Sequence, residues 1–247
     1  MTPTYTPSHF LLDDPLLIRQ FLQQHYFGLL LTADLQLSAL PLLFEWDQPT
    51  GLTGKVYGHM ARQNPQLQGL QDGDKVKLVV QGPHAYVAAE CYQQQPQVAT
   101  WNYSLVEVSG KVELLDSKST LTLVRRQQAK ANQALPQQVQ DGFVSLAART
   151  DAVAASGPSG RQSNLAYEKQ LSAAISGFVV RIESLHAKMK LSQNKTPASR
   201  QDVLQFLQQS EQPQTVWQLM QAQGLLAAEA AVNTQNPALG STKGAVI

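Results

Sequence analysis

Three stretches carry residue types that could do chemistry. In GHMARQNPQLQGL, residues 58–70, His59 and Arg62 stand just ahead of Asn64-Pro65. Asparagine before proline reads as an N-cap followed by an N1 proline, so a short helix is expected to start there. Free backbone N–H groups, a guanidinium and an imidazole would then converge, which can hold a phosphate without a glycine-rich loop. The competing reading makes Asn64 only a cap and Arg62 a surface residue, and spacing alone leaves both open. In QGPHAYVAAECYQQQPQVATWNY, residues 81–103, Gly82-Pro83 reads as a turn between two strands. His84 and Tyr86 alternate onto one face, and Trp101 and Tyr103 onto one face of their own segment. Strand aromatics of this kind either pack a core or wall a flat ligand. The third stretch, KLSQNK at 190–195, is either a solvated loop or a source of hydrogen bonds from Ser192, Gln193 and Asn194 to a polar ring edge.

Other chemistries find less support. His9, His25, His59, His84 and His186 show no paired ligand spacing, and the single Cys91 can form neither a cysteine zinc cluster nor an internal disulfide. No metal is expected. No serine or threonine sits in a G-x-S-x-G elbow. Nineteen Lys and Arg against eighteen Asp and Glu leave a net charge of +1. The modest clusters at Arg181–Lys195 and Arg125-Arg126 make no basic face, so direct DNA contact is not supported by charge. The N-terminal residues do not read as a secretory signal, and no apolar run reaches the roughly 20 residues of a membrane span, so a cytoplasmic protein without membrane contact is expected.

These residues must be positioned by a mainly β chain. Asp13-Asp14-Pro15 caps an expected helix whose apolar face is Leu17, Ile18, Phe21 and Leu22. Strand-type runs follow at 26–32, 35–46, 51–59, 75–82, 84–90 and 104–115. In the last, Val106, Val108, Val112 and Leu114 alternate with Glu107, Ser109, Lys111 and Glu113. Six strands with little helix between them predict an antiparallel barrel rather than a βαβ sheet. Helices are expected over 117–134, 137–149 and 161–175, with a loop at 151–160, and a long strand at 177–191 that rejoins the barrel. Thr196-Pro197 opens a further helix to about Gln209, and another is expected near 214–230. The domain boundary is placed at 210, with residues 211–247 a helical or loose tail.

Taken together, Gly58-His59-Met60-Ala61-Arg62 with Asn64-Pro65, Gln81-Gly82-Pro83-His84-Ala85-Tyr86, Thr100-Trp101-Asn102-Tyr103 and Lys190-Leu191-Ser192-Gln193-Asn194 resemble the PaiB family in order and spacing over roughly residues 5–210. That family comprises FMN-binding negative transcriptional regulators. The resemblance implies a mainly β chain with added helices (α+β), built on a six-stranded antiparallel split barrel. It further implies a homodimer with FMN at the subunit interface. Its site residues would be His59, Met60, Ala61, Arg62, Asn64, Gln81, His84, Tyr86, Trp101, Asn102, Lys190, Ser192, Gln193 and Asn194, with Arg62–Asn64 as the phosphate corner. The chain departs from the pattern at Ala88–Tyr92, at Ala99 and at Met189. A flavin-dependent oxidoreductase of the pyridoxamine-phosphate-oxidase or flavin-reductase type is the alternative, with His84 and Tyr86 its best acid–base candidates.

Overall fold

Alternation of buried apolar residues builds the sheet. The computed structural model describes residues 2–133, 173–210 and 215–222. Its strands are β1 (Leu11–Leu12), β2 (Phe27–Leu31), β3 (Leu37–Pro41), β4 (Leu43–Trp46), β5 (Gly54–Ala61), β6 (Lys75–Val87), β7 (Thr100–Leu114) and β8 (Ile175–Lys190). They pair in the order β3-β2-β6-β7-β8-β5-β4, with β1 also on β8. β3 and β4 end this order yet are separated in the chain only by Leu42, so the sheet curls until its ends approach. Leu30, Leu40, Val56, Leu78, Val106 and Phe178 fill the enclosed space. A Cβ on Gly58 would lie 2.5 Å from Phe178 Cζ and 2.6 Å from Leu40 Cδ1, so only glycine lets these elements approach. This is an antiparallel split barrel: the strand pattern predicts the barrel, and the family resemblance implies its split form, with six strands where eight are found among the described residues.

The strands differ in number and extent from the sequence expectation. The 35–46 run divides at Leu42, where pairing passes from β2 to β5. Residues 75–87 form one strand through Gly82-Pro83 rather than two strands around a turn. Proline's fixed φ is compatible with extended backbone, and the Pro83 carbonyl accepts a 3.1 Å bond from Ser104 Oγ. β7 starts at Thr100, so Trp-Asn-Tyr lies in a strand. The two-residue β1 lacks enough sequence to show a period.

Helix α1 (Pro15–Gln24) is capped as expected, with Asp14 Oδ1 accepting from the Leu16 and Leu17 amides at 2.8 and 3.2 Å. α2 spans Pro65–Gly69, α3 Ser117–Gln133, α4 Pro197–Gln209 and α5 Thr215–Ala222. The helices expected over 137–149 and 161–175, and the loop between them, lie outside the described residues, except for Ala173, Ala174 and Ile175, the last of which opens β8. α5 falls within the expected 214–230 helix, and the tail beyond it lies outside the description.

Backbone contacts divide the chain into two compact units, with boundaries inside β6 after Gly82, inside β7 after Ser104 and inside β8 after Lys188. The first holds the barrel residues, α1, α2, α3 and the N-terminal segment through Pro7. The second holds Ser8–Phe10, Pro83–Ser104 and the chain from Met189, with Val203 and Leu207 of α4 and Val216 and Met220 of α5 buried. Among the described residues, no helix is long and apolar enough to cross a membrane.

Candidate functional site

In the first unit, alternation along β5 sends Val56, Gly58 and Met60 inward and leaves Tyr57 and His59 half-buried on the other face. Met60 is 5% exposed, so its side chain belongs to the core, where its sulfur meets Asn64 Nδ2 at 3.6 Å. His59 Nδ1 lies 2.7 Å from Gln127 Oε1 on α3. Gln127 Nε2 donates to the Pro41 carbonyl at 2.8 Å, and a carbonyl only accepts, which fixes the amide orientation. His59 Nδ1 therefore carries a proton, and the Nδ1–H tautomer presents Nε2 as an acceptor.

His59 lines a cavity of about 280 Å³ whose walls include Tyr26, Pro41, Leu42, Val124 and Ala131. Lys130 also lines it, its ammonium 4.4 Å from the Tyr26 ring centre. Burial holds the Lys130 pKa below the ordinary lysine value.

Beyond β5 the backbone closes on itself. The Arg62 amide donates to the Ala174 carbonyl at 2.9 Å, the Asn64 amide to the Ala61 carbonyl at 2.9 Å, and the Gln68 amide to the Asn64 carbonyl at 3.1 Å. Asn64 caps α2, its Oδ1 accepting from the Gln66 amide at 2.9 Å and its Nδ2 donating to Ser38 Oγ at 2.9 Å. The Arg62, Asn64, Gln66 and Gln68 amides are therefore engaged within the protein, and Pro65, which opens α2, has no N–H to offer. The positive charge at this corner is the exposed Arg62 guanidinium, whose Nη2 reaches Ser117 Oγ only at 3.5 Å. Ala61 and Gln81 are exposed in this unit.

In the second unit, exposed His84 and Tyr86 flank buried Ala85, and the Trp101 ring stands 5.6 Å from His84 and 6.0 Å from Tyr86 between centres. Asn102 points the other way. It is fully buried, and its Nδ2 donates to Ser192 Oγ at 3.0 Å. Trp101 and Asn102 thus serve opposite faces of β7, as adjacent strand residues must. Lys190 Nζ donates to the Trp101 carbonyl at 2.7 Å and to Thr100 Oγ1. Gln193 holds its own loop, with Oε1 accepting from the Leu191 amide at 2.7 Å and Nε2 donating to the Met189 carbonyl. Asn194 is exposed. The departure at Ala88–Tyr92 is a short 3-10 turn over Ala89–Cys91 that leads into buried Tyr92.

Gln127 is the participant that motif reading missed. Its signal was the inward stripe Thr120, Leu123 and Gln127 on α3, where i, i+3, i+7 spacing puts one amide among apolar neighbours. Among the described residues, no three His, Cys, Asp or Glu side chains come together as a metal-ligand group.

Comparison with known proteins bears on both units. A family described as "Putative FMN-binding domain" matches residues 4–184. The Protease synthase and sporulation protein PAI 2 of Bacillus subtilis is 26% identical over 219 residues, covering 85% of this chain and 91% of its own. An uncharacterized protein of Aspergillus fumigatus is 31% identical over 232 residues, covering 76% of this chain and 85% of its own. Among solved structures, the flavocytochrome Anf3 of Azotobacter vinelandii aligns with a TM-score of 0.48 at 12% identity, covering 75% of this chain and 72% of that one. With its split barrel, its four ordered motifs and a family match over most of its length, the chain belongs to the FMN-binding domain family, that of the PaiB proteins.

Proposed function

We propose that this protein binds FMN through the His59 cavity and the Arg62 corner, and works as a flavin-bearing homodimer in negative transcriptional control. The observation that carries the reading is His59, held in one tautomer on an apolar cavity and three residues from an exposed guanidinium. The donor set suits the cofactor. Apolar walls take the faces of a fused ring, an imidazole acceptor takes an N–H or a ribityl hydroxyl, and a guanidinium takes a phosphate dianion. When bound, the flavin supplies redox chemistry, and the protein's part is binding and orientation. Arg62 anchors the phosphate, His59 orients the polar edge, and Gln127 keeps the His59 proton on Nδ1.

The exposed rings of His84, Tyr86 and Trp101 are the flat surface that a second copy would cover. Lys190, Ser192, Gln193 and Asn102 brace the strand ends that carry Trp101. The regulatory part of the reading rests on the family resemblance and on the relative named for protease synthesis and sporulation. A net charge of +1 favours control through the flavin-bound dimer over reading of DNA by a basic face.

Purified protein is expected to show flavin absorption bands, and Arg62→Ala to bind FMN roughly tenfold to a hundredfold more weakly, the worth of a lost charge-assisted hydrogen bond. Riboflavin, which lacks the phosphate, should bind both proteins equally. Unchanged FMN affinity in Arg62→Ala, measured by fluorescence titration, would remove the phosphate corner from this position.

A further inference from the structure

The turn between β2 and β3 and the turn between α2 and β6 frame a pocket of about 330 Å³ in the first unit. Thr32, Asp34, Gln66, Leu70, Asp74 and Lys75 line it, and none of them belongs to the flavin site. We propose that this pocket binds the primary ammonium group of a small amine.

Gln66 carries the argument. It is 3% exposed, and its Nε2 donates to the Gln36 carbonyl at 2.9 Å and to the Leu30 carbonyl at 3.0 Å. Carbonyls only accept, so the amide cannot be turned the other way. Its Oε1 is left buried with no hydrogen-bond partner in the protein. A buried acceptor of this kind costs its full desolvation unless a donor meets it, and folded proteins rarely leave one unmet. The donor must come from the pocket that Gln66 lines. The rest of the wall says which donor fits. Two carboxylates, Asp34 and Asp74, stand against the single ammonium of Lys75, so the wall is negative by one charge. Asp34 Oδ1 accepts from Thr32 Oγ1 at 2.5 Å and Oδ2 from Gln36 Nε2 at 2.7 Å, which fixes the carboxylate and leaves each oxygen a second acceptor position. Asp74 Oδ2 accepts from the Gln71 amide at 2.8 Å and is likewise fixed. An ammonium brings three N–H donors and one positive charge to these acceptors. An anion is repelled, and a calcium or magnesium ion needs a close shell of about six to eight oxygens that two carboxylates do not build. The volume exceeds that of a lone ammonium, and Leu70 and Ala33 take the alkyl part of an amine.

The test titrates propylamine, as propylammonium at neutral pH, into nitrogen-15-labelled full-length protein at fixed ionic strength. Propyltrimethylammonium, which has the same charge and no N–H, is the control. The Gln66 side-chain amide resonance is expected to shift saturably with propylammonium and to stay in place with the control. Asp34→Asn, at an exposed turn position, should bind propylammonium roughly tenfold more weakly with FMN affinity unchanged. A melting curve identical to wild type shows that this variant is folded, and Asp74→Asn, also exposed, is the second variant and should weaken binding likewise. No saturable shift at Gln66 overturns the proposal, as does an equal shift with propyltrimethylammonium or wild-type affinity in both variants. Displacement of propylammonium by an equal concentration of calcium also overturns it, because the pocket would then be a metal site. The flavin reading is independent and fails separately, through Arg62→Ala.

Discussion

Gln127 shows how a residue far from any motif comes to govern one inside it. Its amide is pinned by the Pro41 carbonyl, so the oxygen has no choice but to face His59 Nδ1. Replacing Gln127 with leucine removes the acceptor and leaves the imidazole free to exchange its proton between nitrogens. Nitrogen-15 shifts of the His59 ring should report a single Nδ1–H tautomer in the wild type at neutral pH and a mixture in Gln127→Leu. A single unchanged tautomer in the variant would show that the pinning lies elsewhere. The same scale explains what the sequence could and could not reveal. His59 and Arg62 were legible because they sit in an ordered motif, but their neighbour Gly58 is required by packing against Phe178 and Leu40, not by a ligand. Arg19 was hidden on an apolar helix face. Its guanidinium is buried because it donates to the carbonyls of Gly51, Pro49 and Gln48 at 2.8, 2.7 and 2.7 Å, contacts that no periodicity announces.

At the scale of elements, the N-terminal segment is fastened to the barrel by side chains rather than by a ladder. Glu107 accepts from the Thr4 amide and hydroxyl at 2.8 Å each, Lys77 donates to the Thr2 carbonyl at 2.9 Å, and Lys188 to the Tyr5 carbonyl at 2.8 Å. His186 Nε2 meets Thr6 Oγ1 at 2.8 Å. Strand alternation assigned Glu107 to the solvent face, and it is buried because this segment covers it. Desolvation alone would raise its pKa, but the Thr4 hydrogen bonds and the Lys77 ammonium outweigh it and hold the carboxyl below its ordinary value. A carboxyl depressed on folding contributes stability that is complete above its unfolded pKa and lost as pH falls through the folded one. Acidification below the ordinary carboxylate range should therefore release the segment, with a loss of about 2 kcal/mol, the worth of hydrogen bonds to a charged group. Hydrogen exchange at the Thr4 amide measures this directly. In Glu107→Leu, which removes the acceptor, the amide should exchange quickly at neutral pH and show little further change in acid, and protection equal to wild type would refute the account. Strand continuity was the other feature the sequence obscured. Gly-Pro reads locally as a turn, yet β6 runs through it without a break from Lys75 to Val87, a strand context that overrides a two-residue preference.

For the molecule as a whole, barrel class was legible because alternation recurs in run after run, whereas closure at Leu42 depends on pairing between distant segments and leaves no local trace. Self-association follows similar logic. Tyr86 and Trp101 are 41% and 51% exposed with their ring centres 6.0 Å apart, large side chains that a lone chain leaves in water. A net charge of +1 offers almost no long-range repulsion between two copies, so burying this surface meets little electrostatic resistance. Sedimentation of the purified protein is expected to give a homodimer. Trp101→Asp should yield a folded monomer, since a carboxylate in the patch must be desolvated to associate, at a cost of several kcal/mol. Because Trp101 is exposed on its strand, the substitution leaves the buried core untouched, and a cooperative melting transition in the variant separates lost association from lost folding. A dimer that survives Trp101→Asp would move the interface to another face. A monomeric wild type would leave the aromatic patch without the second copy assigned to it, and FMN would then have to be held by a single chain.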